Sequence, residues 1–179
     1  MYAAGLWVGG YVDGELRVAG ANYYNFEFWP GPIDPATSRP PDPADCSAYD
    51  RIWRVSRHDV AEYYRTGVAT PDLAEWPHDL GAPVLDGDGD STNYQLEAGD
   101  QPAISGDQML WWVMNDVGNV HRWTRTPPIG LEARVEAIAV ADRPDALNQA
   151  TFFRYTFRST GSVLDSTVVG LFADVDLGD

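Results

Sequence analysis

Apolar and polar residues alternate along much of the chain, and the period is two rather than 3.6. From Ile129 to Ala141, the residues Ile129, Leu131, Ala133, Val135, Ala137 and Ala139 fall on one face. Glu132, Arg134 and Glu136 fall on the other. That pattern predicts a strand with one buried face. Thr151 to Ser159 repeats it, with Phe153, Tyr155 and Phe157 set against Arg154, Thr156 and Arg158. Ser162 to Ala173 supplies the last strand, and a hairpin turning at Thr160-Gly161 is expected to join the two. At the other end, Gly5 to Val12 and Glu15 to Asn22 flank Asp13-Gly14, a pair that tolerates the positive φ of a tight hairpin turn. Met109 to Asn115 and Asn119 to Trp123 flank a further turn at Val117-Gly118.

Helical signals are few. Tyr49 to Val55 suits a short strand, after which Ser56 is placed as an N-cap with Asp59 able to reach back to it. A helix is expected from there to about Arg65, stopping at Gly67, and a single helical turn fits Pro71 to Trp76. The proline-rich stretch from Pro30 to Asp45 can be neither helix nor central strand. Residues 77 to 107 read as one long ordered loop, and a loop of that length needs something to organise it. The fold class predicted is mainly β: an antiparallel β-sandwich or jelly-roll-like domain over residues 1–179, with one short helix and a long acidic loop.

Composition sharpens the picture through charge. The 179 residues carry 27 acidic and 12 basic side chains, a net charge of −15, and every basic residue is Arg. Such a surface repels phosphate backbones and anionic headgroups, so nucleic acid and membrane surfaces are poor partners. No apolar run approaches the roughly 20 residues a membrane helix needs, so no membrane insertion is expected. Nor does the N-terminal stretch have the basic start and apolar run of a signal peptide. The acid excess fits adaptation to high salt, where screening relieves self-repulsion, or binding of divalent cations. The one cysteine, Cys46, cannot form an internal disulfide and is read as a structural thiol.

The acidic residues also carry the strongest local motif. Asp86, Asp88 and Asp90 alternate with glycines and are followed by Glu97 and Asp100. Carboxylates at every second place of a curling glycine-rich loop converge, and such hard oxygen ligands suit Ca²⁺. Glu97 is the twelfth residue counted from Asp86, the place where an EF-type loop has its bidentate ligand. Ser91, however, stands where that loop needs Gly, and no helix pattern flanks it. A second metal site is conceivable from Asp174, Asp176 and Asp179.

Catalytic templates are missing: no G-x-S-x-G, no H-E-x-x-H, no phosphate-binding glycine loop, no C-x-x-C. His58, His78 and His121 are widely spaced and read as surface or packing residues. No catalytic residue is assigned. Trp111 and Trp112, adjacent in a strand, must point to opposite faces, so one of them is a candidate platform for stacking a sugar ring or a partner.

Taken together, Gly5 to Gly10 (GLWVGG), Asn25 to Pro32 (NFEFWPGP), Cys46 to Val55 (CSAYDRIWRV), Gly106 to Trp112 (GDQMLWW), Asn115-Asp116, Pro128 to Glu132 (PIGLE), Phe152 to Tyr155 (FFRY) and Asp174 to Gly178 (DVDLG) resemble a recurring module of large type IX-secreted surface proteins of gliding bacteria. The resemblance implies a secreted or cell-surface location, a piece of a longer protein, and a D-x-N/D-x-D-G loop met here by Asp86, Asp88 and Asp90. It brings no settled activity. Two functions stay open. One is a non-catalytic, calcium-stabilised module for adhesion or for binding extracellular glycan or surface protein. The other is a glycosidase or esterase using Asp/Glu carboxylates in a cleft under the long loop.

Overall fold

The computed structural model describes residues 3–141, 146–161 and 163–175. The first hairpin forms as predicted: β1 (Ala3–Val12) and β2 (Glu15–Gly20) pair antiparallel with Val12 opposite Glu15. Asp13 and Gly14 turn between them at φ 52° and 81°, the left-handed pair that matches the twist of the strands. Alternation then works as expected, sending Leu6, Val8 and Val12 inward.

Downstream, β3 (Trp29–Pro30) is a two-residue strand, and the proline-rich stretch after it is irregular apart from a 3-10 turn at Cys46–Ala48, where Cys46 is half-buried and free. β4 (Trp53–Ser56) leads straight into α1 (Arg57–Thr66). The capping box is complete: the Ser56 hydroxyl accepts from the Asp59 N–H at 3.1 Å, and Asp59 Oδ2 accepts from the Ser56 N–H at 2.9 Å. Gly67 ends the helix in the left-handed region. Ser56→Ala should therefore cost about 1 kcal/mol, read as a lower urea midpoint with unchanged m. A second, one-turn helix α2 (Pro71–Ala74) follows, where only a helical turn was expected, with Thr70 as its cap.

The stretch from 77 to 107 is more structured than a single loop. It holds two 3-10 turns and a small ribbon, β5 (Val84–Leu85) against β6 (Gln101–Pro102). After it come β7 (Gln108–Asn115), β8 (Leu131–Ala139), β9 (Thr151–Ser159) and β10 (Leu164–Asp174). The hydrogen-bonded orders are β10-β1-β2 and β3-β7-β8-β9, with β4 also on β7. The fold is thus mainly β and antiparallel, with two principal sheets of the kind a β-sandwich uses.

Four strand expectations need correction, the first being β9, whose Phe153 and Phe157 are 51% and 36% exposed where the alternation predicts a buried face. Asn119 to Trp123 is not a strand: Asn115 Oδ1 accepts from the Val117 and Gly118 N–H groups, which turns the chain away from a hairpin return. β9 and β10 do not form a hairpin, because β10 pairs with β1 from Ala3↔Asp174 to Val12↔Leu164 and so joins the other sheet. And the polar face of β8 is not solvated, since Glu132 is 0% and Glu136 8% exposed. Glu132 accepts from the Ile33 N–H and Glu136 pairs with Arg154, which is how a carboxylate tolerates that side of the strand.

Two compact units arise from interleaved segments. The first comprises Met1–Asp50, Val113–Ala133 and Phe157–Asp179; the second comprises Arg51–Trp112 and Arg134–Thr156. In the first, β1, β2 and β10 form one sheet, and Trp29 and Pro30 pair with Asn115 and Met114. In the second, β4 pairs with the first half of β7, from Ser56↔Gln108 to Trp53↔Trp111, beside α1, α2 and the β5–β6 ribbon. No helix is long and apolar enough to cross a membrane among the described residues.

Candidate metal centre

The acidic loop is the connection of the β5–β6 hairpin. Pairing of Leu85 with Gln101 and of Val84 with Pro102 sets the register, which carries Asp86 and Asp100 to the mouth of the ribbon on opposing strands. Gly87 then passes so close to Gly99 that a Cβ on Gly87 would lie 2.3 Å from the Gly99 carbonyl. Only glycine lets the two backbones approach this far.

One carboxylate oxygen each of Asp86, Asp88 and Asp100 lies within 4.8 Å of the others. Asp100 is buried and the other two are exposed. Both oxygens of Asp100 accept backbone bonds, Oδ1 from Gly87 at 2.9 Å and Oδ2 from Gln95 at 2.7 Å. Those two N–H groups hold its carboxyl below the ordinary aspartate value. Asp86 Oδ1 accepts from the Asp88 and Gly89 N–H groups, and Asp88 Oδ1 from the Asp90 N–H. The loop is therefore organised by carboxylates closing turns on their own backbone, with Asp86 and Asp88 exposed. The group could hold a metal ion: all its atoms are hard oxygens, the chemistry of Ca²⁺ and Mg²⁺ sites.

The structure separates two predicted ligands from this group. Asp90 turns to Thr92, accepting from its hydroxyl at 2.6 Å and its N–H at 3.0 Å, and to Asn93 Nδ2 at 3.2 Å. The Thr92 bonds, the hydroxyl first, lower the Asp90 carboxyl. Glu97 sits exposed on the 3-10 turn Leu96–Ala98 and is not in the group. Counting twelve places from Asp86 fails because a ribbon, rather than two helices, carries the loop. Beside Asp86, a cleft of about 210 Å³ is lined by His78, Ser91 and Asn93, and the buried Asn93 Oδ1 has no hydrogen-bond partner.

The remaining candidates fall elsewhere. Asp174 Oδ2 accepts from the Tyr23 hydroxyl at 2.5 Å, while Asp176 and Asp179 lie outside the described residues. Trp111 is withdrawn as a stacking platform: it is 1% exposed, packed edge-on against Trp53 at 5.7 Å and tilted against Trp76 at 6.4 Å. Trp112, on the other face, is half-buried.

Two buried polar residues, Glu27 and Asp116, escaped the sequence reading, and His121 is buried as a packing residue. Glu27 and Asp116 gather backbone N–H groups, and His121 has ring nitrogens 2.9 Å from the Val18 carbonyl and 2.8 Å from the Asp116 carbonyl. The one hint in sequence was Glu27 between Phe26 and Phe28, a charge inside an aromatic run. Compared with known proteins, the chain matches no family, no curated protein and no solved structure.

Proposed function

We propose that this chain is a non-catalytic, calcium-stabilised module of a secreted or cell-surface protein, serving adhesion or the binding of extracellular glycan or protein. The observation that carries the reading is the convergence of Asp86, Asp88 and Asp100 within 4.8 Å. Carboxylates aimed at one point suit a cation, whereas glycoside hydrolysis uses two carboxylates opposed across a groove, about 5–10 Å apart. Flexible oxygen ligands on a loop favour Ca²⁺ over Mg²⁺, which demands a tight octahedron. The resemblance to modules of type IX-secreted surface proteins supports export, and the net charge of −15 suits a salt-rich exterior.

Calcium should raise the melting temperature through mass action. A hundredfold excess over Kd contributes about 2.7 kcal/mol, a shift on the order of 5–10 °C for a chain of this size. Asp88→Asn should weaken that shift and leave the metal-free protein unchanged, since Asn keeps the oxygen that closes the turn on Asp90. Asp100→Ala should lower stability even in chelator, because Gly87 and Gln95 lose their acceptor. Asp100 has a depressed folded-state value, so its contribution is present above the ordinary aspartate value of about 3.9 and is lost as pH falls through the lower one. Calorimetry with neither heat nor stabilisation at millimolar Ca²⁺ would refute the calcium reading.

A further inference from the structure

We infer that the cleft between Tyr24, Phe26 and Trp123 binds the pyranose rings of a neutral glycan. This rests on reading the chain as a binding module, and it does not depend on calcium: every residue of the cleft belongs to the first unit, while the acidic loop belongs to the second. The cleft measures about 230 Å³ and is completed by Asn25, Asn119 and Arg122. Its rings are open to solvent, Tyr24 at 87%, Phe26 at 63% and Trp123 at 46%. Exposed aromatics clustered in one concavity with polar groups mark a binding site more often than a stray surface residue does.

The backbone that presents Phe26 and Trp123 is also held in place. Phe26 bridges to Ala21, and its carbonyl accepts from Asn119 Nδ2 at 2.5 Å. The buried Glu27 carboxylate accepts from the Trp123 N–H at 3.0 Å and the Thr124 N–H at 2.9 Å. Behind Trp123, the Trp7 ring stands edge-on at 4.6 Å and is itself fixed by a bond from Nε1 to the Ala21 carbonyl. A ring braced like that of Trp123 meets the polarised C–H face of a sugar ring at a reduced ordering cost on binding.

Polar chemistry fits the same ligand. Arg122 has no carboxylate partner among the described residues, in a chain with 27 acidic and 12 basic side chains. Its guanidinium is free to donate to vicinal hydroxyls, and Asn25 Oδ1 to accept from them. Glu27 has spent both oxygens on the protein, so the cleft offers binding without an acid or base for hydrolysis. A net charge of −15 disfavours a uronate polymer, which is why the ligand is placed among neutral glycans.

The test titrates the full chain with cellohexaose, xylohexaose and mannohexaose, and with tetragalacturonate as the anionic arm, following tryptophan fluorescence and heat. At least one neutral hexasaccharide should bind below about 10 mM, equally in Ca²⁺ and in chelator. Phe26→Ala and Trp123→Ala should each weaken binding about tenfold. Tyr24→Ala, at a side chain already in solvent, should weaken it without touching the fold, and Asp88→Asn should leave it unchanged. No response to any neutral sugar, a response to tetragalacturonate alone, or affinity indifferent to Tyr24→Ala and Phe26→Ala would overturn the inference. Release of shorter sugars during the titration would overturn the non-catalytic reading while leaving this site in place.

Discussion

Asp116→Ala should destabilise the protein by about 3–5 kcal/mol, measured by urea unfolding at neutral pH. The side chain is 0% exposed, and its two oxygens take the N–H groups of Ile129 and Gly130, which lead into β8, and of Leu131, its first residue. Those donors have no alternative acceptor once the carboxylate is gone, and each buried N–H left unpaired costs about 1–3 kcal/mol before relaxation. His121 packs against the same carboxylate: its ring is 3.7 Å away, and its two nitrogens lie 2.9 Å from the Val18 carbonyl oxygen and 2.8 Å from that of Asp116. Asp116→Asn keeps one oxygen but turns an NH₂ toward an N–H, so it should fall between wild type and Ala. A loss under about 1 kcal/mol for Ala would mean that water takes over the three donors.

What the sequence discloses here follows the reach of each interaction. The Asp13-Gly14 turn, the Ser56–Asp59 capping box and the Gly67 stop are settled within a few residues, and all three form as read. Period-two alternation likewise locates β8 and β9, although the Phe153 and Phe157 face it assigns to the core of β9 is exposed. It fails wherever the answer depends on a distant partner. Nothing local in Leu164–Asp174 says that it pairs with Ala3–Val12 rather than folding back on β9. Nothing in the Glu132-Ala133-Arg134 alternation distinguishes a carboxylate facing water from one covered by the Ile33 amide. The acidic loop shows the division within one site. Composition marks Asp86, Asp88 and Asp100, but the β5–β6 register decides that these three meet while Asp90 and Glu97 do not. The aromatic residues show it again: adjacent tryptophans drew attention to Trp111, whereas the exposed rings that share a cleft are Tyr24, Phe26 and Trp123, brought together from segments about a hundred residues apart.

Glu27→Ala should cost a further 3–4 kcal/mol or so, and unlike Asp116→Ala it should also disable the aromatic cleft. Glu27 is 1% exposed and acts as a clasp: Oε2 accepts from Gly20 at 3.0 Å, at the end of β2, while Oε1 accepts from Trp123 and Thr124 and lies 3.1 Å from the Thr124 hydroxyl. The hydroxyl reaches the Val18 carbonyl as well, so one carboxylate ties β2 to the segment that presents Trp123. Charge-assisted bonds of this kind are about twice as strong as neutral ones, and here three N–H groups depend on them. Glu27→Gln can keep its oxygen on Trp123 and Thr124, but then sets its NH₂ against the Gly20 N–H. It should lose about 1–2 kcal/mol and hold most of the glycan affinity. In Glu27→Ala the folded fraction should bind the hexasaccharide at least tenfold more weakly, because the Trp123 backbone is no longer fixed and its ring must be ordered by the ligand. Equal affinity in folded Glu27→Ala and wild type would show that Trp7 alone positions the ring, and that the carboxylate serves stability without shaping the cleft.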